Sequence, residues 1–127
     1  MATGRLLKKH FEIFKKECLR WVDIFGLQDW EWTFNFDDCS AGSRAEYNTY
    51  KTSRMVVVYL NDNCHDWNKP TEALKIHELK KTAFHEVTEI MLNNLRELAM
   101  RDSSYDVVDE ATHKVVRTLE NVLFPKY

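Results

Sequence analysis

The chain has 127 residues, 44% hydrophobic and 30% charged, which predicts one soluble domain, residues 1–127, with a single core. Its formal net charge of −2 gives no overall attraction to nucleic acid or to anionic membranes, so neither is a predicted partner. There is no apolar run of membrane-spanning length and no signal-peptide core, and the widely spaced Cys18, Cys39 and Cys64 exclude a disulfide framework, so the cytoplasm is the expected location.

The first half of the chain predicts a helix followed by three strands. Apolar residues recur at helical spacing from about Leu6 to Phe25. The segment Trp30–Phe36 alternates strictly and puts four aromatic side chains on one face of a half-buried strand. After turn-forming residues at 37–43, a second strand is predicted at about Arg44–Lys51. A third, Arg54–Leu60, is apolar on both faces, which predicts a central, covered position in the sheet.

The second half of the chain predicts two helices. Pro70 suits the first turn of a long helix from about Thr71 to Met100, and residues 101–105 form a polar break. Together the elements predict an α+β fold in which a small, mainly antiparallel three-stranded sheet packs on the first and long helices. The last helix, about Val107–Leu123, has a predicted packing stripe of Val108, Ala111, Val115, Leu119 and Val122.

The long helix contains the motif His85-Glu86-x-x-Glu89. Residues four apart project from the same side of a helix, so His85 and Glu89 lie one above the other, and Glu86 lies about 100° further round. The pattern is that of the His-Glu-x-x-His helix of metallopeptidases, with Glu89 in place of the second histidine. The alternative without a metal site is an ordinary His85–Glu89 charge pair on a solvated helix face, and the motif alone does not exclude it.

Features outside the motif also resemble those of one protein family, and together they span nearly the whole chain. Gly26, Leu27 and Trp30 precede the first strand, the motif helix follows a polar loop, and the last helix ends in a Val-Val-Arg-x-Leu-Glu tail. In this order and length the chain resembles the short phage and prophage zinc metallopeptidases, minimal relatives of the zincins. The tail residues are Val115, Val116, Arg117, Leu119 and Glu120.

The resemblance implies a zinc site. In the family the motif helix supplies two histidine ligands and the last helix an acidic third ligand. Here His113 falls near the expected place of that acidic ligand, so an exchange of ligand types would let His85, Glu89 and His113 hold Zn²⁺. Asp109 is the alternative third ligand, or a carboxylate that hydrogen-bonds His113; a solvated Asp109–His113 pair is the reading without metal.

The same resemblance implies a reaction. Glu86 would be the general base, and the second or third strand would hold a peptide or protein substrate by strand addition. The predicted function is a zinc-dependent, metallopeptidase-like hydrolase in the cytoplasm of a bacterial host. The alternative is a catalytically inactive zincin-fold phage protein that binds a host protein. Tyr47, Tyr50 and Tyr59 are candidate oxyanion donors, although tyrosines in such strands more often serve packing.

Overall fold

The computed structural model describes residues 5–37 and 43–126. Within them the order of helices and strands confirms the predicted α+β class, and none of these helices is long and apolar enough to cross a membrane. A short 3-10 turn, His65–Trp67, lies between the last strand and the long helix. The elements are α1 Lys8–Ile24, β1 Glu31–Asp37, β2 Ala45–Tyr50, β3 Met55–Asn61, α2 Glu72–Ala99 and α3 Tyr105–Leu123.

The sheet has the order β1-β3-β2. Its central strand is β3, as predicted, and Val56, Val58 and Leu60 on β3 are completely buried. The pairing is mixed, because β3 runs antiparallel to β2 but parallel to β1. The prediction of a mainly antiparallel sheet is therefore wrong for one of the two pairs. The apolar β3 takes the covered central position, and this separates β1 from its neighbour in sequence.

The core lies between one face of the sheet and the helices α1 and α2. Trp21 of α1 and Phe84 of α2 meet edge to face with ring centroids 4.7 Å apart, and both are fully buried. Phe36 stacks on Phe11 of α1 at 5.1 Å, so the alternating aromatic face of β1 packs inward as predicted. Each such fully buried large side chain contributes roughly 1.5–3 kcal/mol to the free energy of unfolding.

The long helix begins slightly later than its sequence suggests. The hydroxyl of Thr71 accepts a hydrogen bond from the backbone N–H of Leu74 at 3.2 Å and caps α2, so Pro70 precedes the helix rather than lying in its first turn. The inner side of α2 is buried through Leu79, Ala83, Phe84 and Val87. His85 and Glu89, which fall beside this buried stripe, face the side on which α3 packs.

The predicted packing stripe of α3 is wrong in three positions. Ala111, Val115 and Val122 are exposed, whereas Thr112 and Val116 are buried beside Val108. At 100° per residue, the buried side is rotated by about 60° from the predicted one. Thr112 tolerates burial because its hydroxyl donates to the carbonyl oxygen of Val108 at 2.8 Å. The rotation turns the flank that carries Asp109 and His113 toward α2.

Candidate metal centre

His85 and Glu89 meet on the side of α2 that faces α3. The distance from His85 Nε2 to Glu89 Oε2 is 2.7 Å, a close contact between an imidazole and a carboxylate across one helical turn. The side chains are 29% and 12% exposed, so both can be reached from a surface groove. The buried neighbours Phe84 and Val87 fix the rotation of α2 and therefore the direction of this pair.

His113 completes the cluster from α3. Its ring centroid lies 5.8 Å from that of His85, and donor atoms of His85, Glu89 and His113 all lie within 4.8 Å of one another. In the described part of the chain, no other three His, Cys, Asp or Glu residues converge in this way. Ligand atoms of a tetrahedral zinc ion lie about 3.4 Å apart, given bond lengths of about 2.0–2.2 Å. A small inward movement of these side chains would produce that spacing.

Asp109 lies behind His113 rather than in the cluster. His113 Nδ1 lies 2.8 Å from the backbone oxygen of Asp109 and 3.5 Å from its Oδ2. A carbonyl oxygen only accepts, so this contact places the hydrogen on Nδ1 and leaves the lone pair of the neutral ring on Nε2. The hydrogen bond that orients His113 thus comes from the backbone of Asp109, and the carboxylate, at 3.5 Å, adds only an electrostatic contact from outside the cluster. Glu110 points away and pairs with Lys114 at 3.4 Å.

Arg96 joins the two helices beside the cluster. Its guanidinium donates to Asp109 Oδ1 at 2.7 Å and lies 4.0 Å from Glu89 Oε1. It therefore holds the carboxylate behind His113 and also approaches the carboxylate of Glu89. Arg96 is not among the residues predicted from the sequence, although it follows Glu89 by seven residues and so lies two turns along the same side of the helix.

Glu86 is the most unusual group near the cluster. Its side chain is buried, and burial raises the pKa of its carboxyl well above the ordinary value; the nearby carboxylates of Glu89 and Glu46 raise it further. No basic side chain in residues 5–37 or 43–126 forms an ion pair with Glu86. A buried carboxyl in this setting favours its protonated form, and a cation beside it would favour the ionised form.

A groove passes over Glu86 and Glu89. Two cavities of about 480 and 470 Å³ are both bounded by Ala45, Glu86 and Glu89. The first extends toward α3 and is lined by Lys81 and Arg117. The second follows β2, which is an edge strand, between Tyr47 and Thr49 of the strand and Asn93 and Arg96 of α2. Of the two strands considered for substrate binding, β2 is therefore the one whose edge is free.

The remaining candidates lie in different surroundings. Only Tyr47 of the three tyrosines lines the groove; burial, and next the charge of Glu89, raise its pKa to about 12, so its hydroxyl stays protonated as a donor. Tyr50 is exposed. Tyr59 lies on the opposite face of the sheet, in register with Glu46. His65 is also exposed and lies outside the cluster, and Cys39 falls outside the described residues.

Comparison of the chain with protein-family models, with curated proteins and with solved structures gave no match. The resemblance to zinc metallopeptidases therefore stays a prediction from the sequence. The case for a function depends on the geometry of the groove and its side chains.

Proposed function

We propose that the chain is a zinc-dependent hydrolase of peptide bonds, with a minimal zincin-like fold. The observation that carries the proposal is the convergence of His85 and Glu89 from α2 with His113 from α3. Two imidazoles and one carboxylate are a common ligand set of catalytic zinc, which keeps a fourth position open. The buried Glu86 supports it, because a nearby cation would stabilise the ionised carboxylate that a general base requires.

Zinc bound by these ligands would supply a Lewis acid that polarises a carbonyl group. Glu86 lies one residue from His85 and opens onto the groove, where it can take a proton from the attacking water and pass it to the leaving amine. The protonated hydroxyl of Tyr47 is the donor best placed for the developing oxyanion. The free edge of β2 beside Glu86 suits an extended peptide, which would add to it as a strand.

Titration of chelator-treated protein with zinc, followed by calorimetry and elemental analysis, tests the metal. We expect one zinc per chain in the wild type and in His65→Ala and His77→Ala, which change histidines outside the cluster. His85→Ala, Glu89→Ala and His113→Ala should each lose stoichiometric binding. A wild type that binds no zinc, or cluster variants that bind as well as the controls, would overturn the proposal.

The second candidate is a zincin-like protein that acts by binding a host protein and no longer hydrolyses peptides. One observation favours it: His85 and Glu89 contact one another at 2.7 Å, and Arg96 lies near the other oxygen of Glu89, so the cluster is compatible with a metal-free protein. The zinc titration separates the two candidates, because the binding protein has no need of a stoichiometric metal.

A further inference from the structure

The rotation of α3 leaves an apolar face uncovered. Val107 and Val115 are 62% and 46% exposed, and Ala111, one turn from each, is exposed between them. With Leu92, Leu95 and Ala99 of α2 they line a groove of about 320 Å³. This groove lies on the other side of α3 from the flank that carries His113, so the proposed hydrolase does not use it.

The three apolar residues of α3 form a ridge suited to helix packing. Residues 107, 111 and 115 follow a four-residue spacing, and such ridges interdigitate when two helices cross at about −50°. The residue at the centre of the ridge is alanine, which lets two helices approach closely. If a second α3 crosses in the antiparallel direction with Ala111 on Ala111, each Val107 lies beside the Val115 of the other copy.

The charges next to the ridge identify the second helix as another copy of this chain. Glu110 and Lys114 border the ridge on its solvent side, and their side chains are 68% and 69% exposed. In the antiparallel crossing, Glu110 of one copy faces Lys114 of the other, and the two-fold axis repeats the pair. A parallel two-fold crossing would instead place the two Glu110–Lys114 pairs on opposite sides of the interface, where they could not face one another. The charges of Glu110 and Lys114 are thus complementary between two copies in the antiparallel orientation, as an isologous interface requires.

We propose that the chain forms a two-fold symmetric dimer in which the α3 helices cross antiparallel at Ala111. One helix crossing is small for a protein interface, so we expect a dissociation constant of roughly 10–100 µM. The dimer leaves the groove over Glu86 open. It also depends on residues other than the candidate zinc ligands, so it does not rest on the proposed function.

Sedimentation equilibrium of the intact chain between micromolar and several hundred micromolar tests the proposal. The wild type should pass from monomer to dimer over this range, and Ala111→Glu should stay monomeric because it buries a charge at the crossing. Ala73→Glu, at an exposed position near the start of α2, is the matched control and should dimerise normally. Circular dichroism verifies that both variants are folded.

A charge exchange tests the orientation. Glu110→Lys and Lys114→Glu should each weaken the dimer about tenfold, because each change creates two like-charged pairs across the axis. The double variant should restore the wild-type dissociation constant. A wild type that is monomeric at every concentration overturns the proposal. A dimer that Ala111→Glu leaves intact, or single variants that the double exchange does not rescue, overturns it as well.

Discussion

Two His–Glu pairs in the part of the chain that the structure describes look alike by distance but differ in what they can do. His10 Nε2 lies 2.5 Å from Glu72 Oε1, and His85 Nε2 lies 2.7 Å from Glu89 Oε2. His10 is 2% exposed, and its Nδ1 accepts a hydrogen bond from the backbone N–H of Leu7. Both ring nitrogens of His10 are therefore used to fix the start of α1 against the start of α2.

The His85 pair differs above all in its neighbours. It opens onto a groove, His113 supplies a further imidazole, and the buried Glu86 lies beside it. A His–Glu contact is thus structural where both nitrogens are occupied and the ring is enclosed. It becomes a candidate site where other donors converge on the same point. The predictions below test this distinction.

The largest expected effect concerns Glu86. We expect Glu86→Gln to lower peptide hydrolysis by about 10²–10⁴-fold, the usual contribution of a general base, while one zinc per chain remains bound. The measurement is the hydrolysis rate on a mixed peptide library, alongside the metal content. Glu110→Gln, on the exposed far flank of α3, is the control and should keep full activity. Loss of zinc from Glu86→Gln would make Glu86 a ligand and contradict its role as a base.

Replacing His85 should lower the affinity for zinc, whereas replacing His10 should lower the stability of the fold. His85→Ala should weaken zinc binding by more than about 100-fold, because loss of a ligand exceeds the 10–100-fold effect of an outer partner. His10→Ala should leave zinc affinity unchanged and lower the free energy of unfolding by about 0.5–1.5 kcal/mol, because the part-buried backbone N–H of Leu7 loses its acceptor. Zinc titration and urea unfolding of both variants provide the comparison. A large loss of zinc affinity in His10→Ala would refute the distinction between the pairs.

A smaller effect on zinc affinity is expected from replacing Asp109, which lies behind His113. Asp109→Ala should weaken zinc binding by less than about tenfold with the stoichiometry unchanged, which is below the 10–100-fold effect of losing an outer hydrogen-bond partner. The hydrogen bond that orients His113 comes from the backbone oxygen of residue 109 and survives the substitution, whereas the carboxylate contributes only a 3.5 Å contact with the imidazole and its bond to Arg96. Asp106→Ala, an exposed change in the first turn of the same helix, is the control. If Asp109→Ala abolishes stoichiometric binding, Asp109 is a ligand, and the alternative third ligand replaces His113.

The fold was largely predictable because its patterns are local. The alternation of Trp30–Phe36 and the two-sided apolar run before Asn61 each specify a strand, and both predictions are confirmed. The parallel pairing of β1 with β3 was not predictable in the same way, because it depends on which strand takes the centre. His10 lies among charged residues in the sequence, which gives no sign of its burial, because its partner Glu72 is 62 residues further on.

The candidate site was predictable in part. His85, Glu86 and Glu89 share a helix, so their relative positions follow from helical geometry alone. The position of His113 depends on the rotation of α3, and the apolar residues of α3 indicated the wrong side. The four-residue row of Val107, Ala111 and Val115 suggests a packing stripe, but intrachain packing uses the row through Thr112. A threonine whose hydroxyl bonds its own helix gives little sign of burial in a sequence.

The smallest expected effect is the pH dependence that Glu86 gives to the stability of the metal-free protein. Its pKa is raised in the folded state, so folding retains a proton that the unfolded chain releases above about pH 4.3. The stability of the wild type should therefore fall as pH rises from there toward the raised pKa. Glu86→Gln removes this pH-dependent contribution to stability.

The melting temperature of Glu86→Gln should exceed that of the wild type at pH 8 by about 3 °C or more, which corresponds to roughly 1 kcal/mol in a domain of this size. The gain should shrink toward pH 4. Saturating zinc should also reduce the gain, because a nearby cation stabilises the ionised carboxylate. Thermal unfolding of both proteins at several pH values, with chelator or with zinc, measures these differences. A gain that is the same at all pH values would mean that Glu86 is not the buried, unpaired carboxyl seen beside His85.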